Sequence, residues 1–215
     1  MQPTAEYYQA PREEVAAFVP AGIDSLLDVG CGEGGFLDVL RRTRPELRLA
    51  GLEPNEAAAE AARAKGLEVT TGGFPHRGAP LGTFDCVVFN DVLEHLLDPW
   101  DALAQARDLL APRGKVVASI PNIRNVETLA EVVLDGTWRY REAGVLDRTH
   151  LRFFTRSSMQ ELFEGAGFVV EHQEGINPTR SRRRRALLAV AGAPIPSLRR
   201  EGPYRQFVTV GTPTR

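Results

Sequence analysis

The chain has 215 residues, 43% of them apolar and 25% charged, with a formal net charge of −2. That length supports one well-buried domain and excludes a multi-domain machine, while the composition excludes disordered and fibrous chains. The balance of 26 Lys+Arg against 28 Asp+Glu excludes a molecule-wide pull toward nucleic acid or anionic lipid. The charge is nevertheless lopsided: residues 177–215 carry nine arginines and one acid, Glu201, whereas residues 1–176 hold 17 basic and 27 acidic side chains. Two cysteines, Cys31 and Cys86, are too few for a disulfide framework, and their apolar or glycine-rich surroundings suit a reduced, cytoplasmic compartment. The start of the chain lacks the basic and apolar regions of a signal peptide, and no apolar run approaches the ~18 residues of a membrane span.

Taken in order, Ser25 to Val29 reads as a strand that enters the glycine-rich loop GCGEGG at 30–35, followed by a helical pattern at Phe36, Leu37, Val39 and Leu40. A strand at Leu47 to Leu52, a helix at Asn55 to Lys65 closed by Gly66, and a strand at Leu67 to Thr70 follow. Phe84 to Phe89 and Lys115 to Ile120 are apolar enough for parallel strands buried on both faces. Between them a helix begins with Asp98 as N-cap and Pro99 at its first position, and its apolar stripe is expected to run through Leu103, Ala106 and Leu110. Beyond Pro121 the pattern predicts a helix around Val126 to Leu134 and a loop of roughly twenty residues with Trp138, Tyr140 and His150. A helix at about Ser157 to Glu164 closed by Gly165, a strand at Phe168 to Gln173, a basic run from Arg180 to Arg185 and a strand at Gln206 to Val210 complete the chain. No repeat or long linker divides it, so we expect one α/β domain over residues 1–215. Its parts are an N-terminal helix or lid (1–23), a cofactor-binding core (24–125), and a substrate-side insertion with C-terminal strands (126–215).

Glycines at 30, 32 and 34 let backbone N–H groups and a helix N-terminus approach a ligand closely. Glu53 ends the next strand about twenty residues on, where a carboxylate accepts from both ribose hydroxyls, so a nucleoside is expected. Asp28 and Glu33 flank the glycines; their negative charge disfavours a pyrophosphate and suits a cationic amino-acid and sulfonium group.

The segments LLDVGCGEGGFL, LEPNEAA, FDCVVFNDVLEHLLDP and LLAPRGKVVASIPN together resemble, over about residues 24–125, the successive motifs of class I S-adenosylmethionine-dependent methyltransferases. The resemblance implies a Rossmann-like, doubly wound sheet of seven strands, mostly parallel with an antiparallel last strand and helices on both faces. It implies that Asp28, Gly30 and Gly32 line the methionine side of the cofactor, that Glu53 holds the ribose, and that Pro54 and Asn55 flank the adenine. Many relatives carry an Asp where this chain has Gly73, which leaves backbone groups near Gly73 and Phe74 for the adenine amino group. Asn90 falls where relatives place a residue beside the sulfonium.

Asp91, Glu94 and His95 stand at i, i+3 and i+4, a spacing that brings side chains onto one helical face. The set resembles the E-x-x-E-H metal site of ubiquinone-pathway and small-RNA terminal methyltransferases, with His150 as a fourth ligand for Mg, Mn, Fe or Zn. The alternative is an E-H pair that caps and packs beneath the cofactor without a metal. Under either reading His95 and His150 are the acid–base candidates, because imidazole takes a proton from a hydroxyl near neutral pH. His76 and His172 lack such company and read as surface or strand histidines.

Trp138, Arg139, Tyr140, Arg141, Arg148 and Arg152 lie in a stretch that resembles methyltransferases of glycan and O-antigen pathways. Aromatics there would stack on a sugar and arginines would pair with phosphates; a packed insertion with solvated arginines is the competing reading. Tyr7 and Tyr8 form either a lid over the cofactor or a staple for the first helix. The run from Arg180 to Arg185 is either a solvated face or a contact for an anionic substrate, lipid phosphate or RNA, with residues 187–196 as a surface anchor. The expected activity is methyl transfer to an oxygen of a small polar acceptor such as a sugar derivative, ahead of transfer to nitrogen or carbon. The competing classes are a methionine-biosynthesis-type regulatory partner, an RNA terminal methyltransferase and a nicotinamide dehydrogenase; the acidic body argues against RNA.

Overall fold

The computed structural model describes residues 11–76, 78, 81–179 and 195–214. Tyr7 and Tyr8, the run from Arg180 to Arg185 and residues 186–194 lie outside the described residues. In chain order the elements are α1 (Glu13–Ala16), β1 (Ser25–Val29), α2 (Gly35–Thr43), β2 (Arg48–Glu53), α3 (Glu56–Ala64), β3 (Glu68–Thr71) and β4 (Phe84–Asn90). Then come α4 (Pro99–Ala106), β5 (Leu110–Pro121), α5 (Val126–Val133), α6 (Arg156–Gly165), β6 (Phe168–Pro178), α7 (Pro196–Glu201) and β7 (Tyr204–Pro213). The strands form one sheet in the order β3-β2-β1-β4-β5-β7-β6. β1 to β5 pair in parallel, and β7 runs antiparallel between β5 and β6. This is the Rossmann-like doubly wound arrangement that the motifs imply.

Side chains along a strand alternate between faces, and both faces here are covered by helices. Leu27 and Val29, Val87 and Phe89, and Val116 and Ile120 pack with Leu103 and Ala106 of α4 and Leu162 and Phe163 of α6. Leu26, Cys86, Val88 and Val117 pack on the opposite side with Leu37 and Leu40 of α2 and Ala59 and Ala62 of α3. Burial on both faces explains why Cys86 to Phe89 is an uninterrupted apolar run. The chain leaves β1 toward β2 on one side and returns to β4 on the other. The crevice therefore opens at the carboxyl ends of β1 and β4, where the strand order reverses.

The start of α4 follows its sequence signal, with Asp98 accepting from the Asp101 N–H and Pro99 in the first turn. Its end does not. The helix stops at Ala106, a 3-10 turn covers Arg107–Leu109, and Leu110 opens β5 opposite Phe84, so Leu110 leaves the helical stripe. An apolar residue four positions beyond Ala106 fits either element. Gly165 lies within α6, and the left-handed turn falls on Gly167 at φ 81°. β6 extends past Gln173 and β7 past both ends of Gln206–Val210, because Glu174 and Gly175 are held in the ladder between them, and Tyr204 and Thr212 pair with Pro178 and Val169. Asp98→Ala is expected to cost about 1 kcal/mol and the fully buried Leu103→Ala about 2–5 kcal/mol. Urea unfolding midpoints check the pair, and equal costs would contradict this account of α4.

Candidate active site

A cavity of about 1170 Å³ opens at the carboxyl ends of the parallel strands. Asp28, Gly30, Gly32, Glu53, Pro54, Gly73, Phe74 and Asn90 all line it. The Gly30 and Cys31 N–H groups donate to the Leu52 carbonyl at 2.7 and 3.2 Å, which ties the glycine loop to the end of β2. Gly30 has φ 73°, and a Cβ there would stand 2.7 Å from Val92 Cγ2, so a side chain would strain the backbone and crowd the neighbouring turn.

Glu53, 4% exposed, accepts from the Gly32 N–H through Oε2 and from the Asn55 N–H through Oε1, each at 2.8 Å. Burial raises its pKa against the pull of these two bonds. Each oxygen spends one lone pair and keeps another for a ligand hydroxyl. Asn55, expected beside an adenine, caps α3 by accepting from the Ala57 and Ala58 N–H groups. Asp28, 1% exposed, has its pKa pushed up to about 8, first by burial. The Glu53 charge adds to the rise, while the Asn90 amide at 3.4 Å and the Arg12 charge oppose it. The Asn90 Oδ1 is buried without a partner among the described residues.

On the β5–β7 side, Asp91 does not join the residues with which its spacing groups it. It follows β4 at φ 53°, and Arg12 donates to it at 2.7 Å, Ser119 Oγ at 2.9 Å and Gln206 Nε2 at 2.7 and 2.8 Å. The segment after Asp91 is one 3-10 turn, Leu93–His95, so no continuous helical face carries i, i+3 and i+4 together. Glu94, His95 and His150 do converge, offering one ligand atom each within 4.8 Å of one another. Glu94 is 1% exposed, both its oxygens lack hydrogen-bond partners among the described residues, and burial raises its pKa well above the ordinary carboxylate value. His150 Nδ1 lies 3.1 Å from the Val145 carbonyl and must donate to it, which leaves Nε2 with a lone pair 3.8 Å from Glu94 Oε1. Burial lowers the His150 pKa. Two acceptors thus face each other, an arrangement relieved by a proton on Glu94 or by a cation between them.

The long loop closes over this cluster. The Leu151 and Arg152 N–H groups donate to the Glu94 carbonyl at 2.9 and 3.0 Å, and the His95 and His150 rings meet edge-on at 4.7 Å. Trp138 packs edge-on against Phe153 at 5.2 Å and Tyr140 at 6.4 Å. Three of the arginines expected to meet an anionic acceptor have partners: Arg141 with Glu131, Arg148 with Glu142, and Arg152 with the Leu97 and Leu151 carbonyls. His172 is on β6 beside Glu174. Arg12, Ser119 and Gln206 carry no local sequence signal, because the partner they share, Asp91, is distant in the chain; Asp147 and Thr149 stand two positions apart and bond each other, a local signal that sequence reasoning missed.

Residues 4–173 match the family described as "Methyltransferase domain". The chain is 25% identical over 158 residues to the ubiquinone biosynthesis O-methyltransferase of Shewanella pealeana, covering 70% of this chain and 66% of that protein. It spans 30% and 66% of the lengths of two curated relatives it matches. A chain of the Haloferax volcanii complex between the Trm112 methyltransferase activator and a methyltransferase superposes with TM-score 0.68 at 20% identity, over 98% of this chain and 91% of that one. The plantazolicin methyltransferase BpumL, solved with S-adenosylhomocysteine (SAH), gives 0.63 at 17% identity over 98% and 80%. Both structures share the fold.

The folded protein holds a proton on Asp28 up to about pH 8, whereas the unfolded chain releases it near 3.8. Between these values the folded state binds more protons, so Asp28 makes stability fall as pH rises. Asp28→Asn is expected to flatten the decline in urea midpoint across that window; an unchanged slope would remove Asp28 from the buried position assigned to it.

Proposed function

Because this chain belongs to the methyltransferase-domain family of S-adenosylmethionine-dependent enzymes, we propose that it transfers a methyl group to an oxygen of a small polar acceptor such as a sugar derivative. One observation carries the reading: a single cavity joins the buried carboxylates Glu53 and Asp28 to the Glu94, His95 and His150 cluster. The residues fit the cofactor. Glu53 retains acceptor capacity for two ribose hydroxyls, the glycine loop leaves room where a Cβ would crowd Val92, and the partnerless Asn90 Oδ1 is an acceptor beside Asp28. Held by Glu53, Asp28 and the glycine loop, the cofactor would supply a methyl carbon activated by a cationic sulfur.

The protein's own part is electrostatic and positional. Asp28, protonated when no cation is near, ionises beside a positive ligand and neutralises it in a low-dielectric site. His150, whose pKa burial lowers, stays neutral at pH 7 and accepts the proton that the attacking hydroxyl sheds. His95 stands beside it and lines the same cavity. The loop over residues 134–155 lends Gly144, Val145, Asp147, Thr149 and His150 to this end of the cavity, and the exposed Trp138 and Tyr140 of the same loop suit stacking on a ring. Aromatic stacking favours a sugar-like acceptor over a phosphate, since Arg141, Arg148 and Arg152 already have partners.

A second reading adds a divalent cation held by Glu94, His95 and His150, without Asp91. The buried, partnerless carboxylate of Glu94 favours it, and one carboxylate with two imidazoles suits Fe, Mn or Zn. Such a cation would lower the pKa of an acceptor hydroxyl. Calorimetric titration of metal-free protein with Mn²⁺ or Zn²⁺, repeated on Glu94→Gln, tests it: binding lost in the variant supports the cation, and no binding to either protein removes it.

Glu53→Ala is expected to weaken S-adenosylmethionine binding by about 1.5–3 kcal/mol, the range for hydrogen bonds to a charged group. Calorimetry returning the wild-type affinity would displace the cofactor from this crevice. Incubation with methyl-labelled cofactor and a metabolite extract, followed by mass identification of the product, tests the acceptor class; a labelled O-methyl sugar is the expected result, and label found only in RNA or protein would overturn it.

A further inference from the structure

The hydrogen bonds around the turn from Gly144 to His150 determine which nitrogen of His95 carries its hydrogen. Thr149 Oγ1 donates its one hydrogen to Asp147 Oδ1 at 2.7 Å. The same hydroxyl lies 3.1 Å from His95 Nδ1, and with its hydrogen committed it meets the imidazole only as an acceptor. The Thr149 carbonyl, 3.3 Å from that nitrogen, has nothing to donate either. Both partners therefore require a hydrogen on Nδ1. A neutral ring so protonated has its lone pair on Nε2.

Asp147 is buried and anchored in the turn that it stabilises. Its N–H donates to the Gly144 carbonyl at 3.0 Å, its Oδ1 also accepts the Thr149 N–H at 2.8 Å, and its carbonyl accepts the His150 N–H at 3.1 Å. We propose that Asp147 and Thr149 are positioning residues that lock His95 in its Nδ1–H tautomer and so make Nε2 its basic atom. The inference rests on the acid–base reading of the two histidines and extends it. The turn then serves both rings: the Val145 carbonyl holds His150 Nδ1–H, and the Thr149 hydroxyl and carbonyl hold His95 Nδ1–H. Neither residue has to touch a substrate. An imidazole free to exchange tautomers would present the wrong nitrogen for part of the time and lose rate in proportion.

Long-range ¹H–¹⁵N spectra of histidine-labelled protein test this, with His95 assigned by its disappearance in His95→Gln. The wild type is expected to show a protonated Nδ1 and a bare Nε2 for His95, and Thr149→Ser, which keeps the hydroxyl, the same pattern. In Thr149→Val only the carbonyl remains, and the two nitrogen shifts should converge as the second tautomer becomes populated. A wild-type ring protonated on Nε2, or a Thr149→Val spectrum identical to wild type, overturns the inference. The wild-type spectrum is decisive even if the valine variant does not fold. Wild-type protein with the expected spectrum that transfers no label to any extract component overturns the methyl-transfer reading alone.

Discussion

One buried carboxylate holds the ligand end of this molecule together. Glu53 closes β2, and its two oxygens take the N–H of Gly32 in the loop after β1 and the N–H of Asn55 at the start of α3. Two strand ends, a glycine turn and a helix start are thereby tied to one side chain that water barely reaches. The arrangement depends on the parallel register that sets Val29 beside Leu52 and on loop N–H groups that reach the Leu52 carbonyl. Burying a carboxylate is unfavourable unless it is hydrogen-bonded, and backbone N–H groups satisfy it without adding a mobile countercharge. The proposed ribose contacts thus use the same atoms that hold the turn.

The other half of the cavity is assembled from separate parts of the chain. Asp91 gathers Arg12 from before α1, Ser119 from β5 and Gln206 from β7, so the segment leading into α1 and the last strand meet at one residue after β4. Both Arg12 and Asp91 adopt left-handed backbone angles, φ 49° and 53°, which non-glycine residues hold only where surrounding bonds compensate. This use of Asp91 keeps it out of the neighbouring cluster. Glu94 and His150 meet there because the long loop folds back and donates two N–H groups to the Glu94 carbonyl.

Much of the architecture was legible because its signals are local. The apolar runs of β1, β4 and β5, the Asp98-Pro99 start of α4 and the glycine loop each depend on residues within one turn or strand. Misreadings arose where one residue satisfies two patterns or where pairing overrides composition. Leu110 suits a helix stripe and a strand, and it joined the strand because Phe84 lies across from it. Gly165 resembles a helix stop, yet the left-handed conformation that ends the helix falls on Gly167. The polar Glu174 hid the true length of β6, and Arg205, Gly211 and Thr212 that of β7, since a ladder hydrogen bond is indifferent to the side chain.

By itself, the amino-acid sequence determined the family and the parallel core, and it named Asp28, Gly30, Gly32 and Glu53, which line one crevice. All of these follow from short-range chemistry: glycine's freedom at positive φ, the alternation of buried strands and a carboxylate at a strand end. Only the tertiary structure decided which acids act together. It sent Asp91 to Arg12 and Gln206, left both Glu94 oxygens without a hydrogen-bond partner among the described residues beside two imidazoles, and set the Thr149 hydroxyl against His95. Those assignments depend on contacts between residues 54 to 115 positions apart, which spacing does not encode.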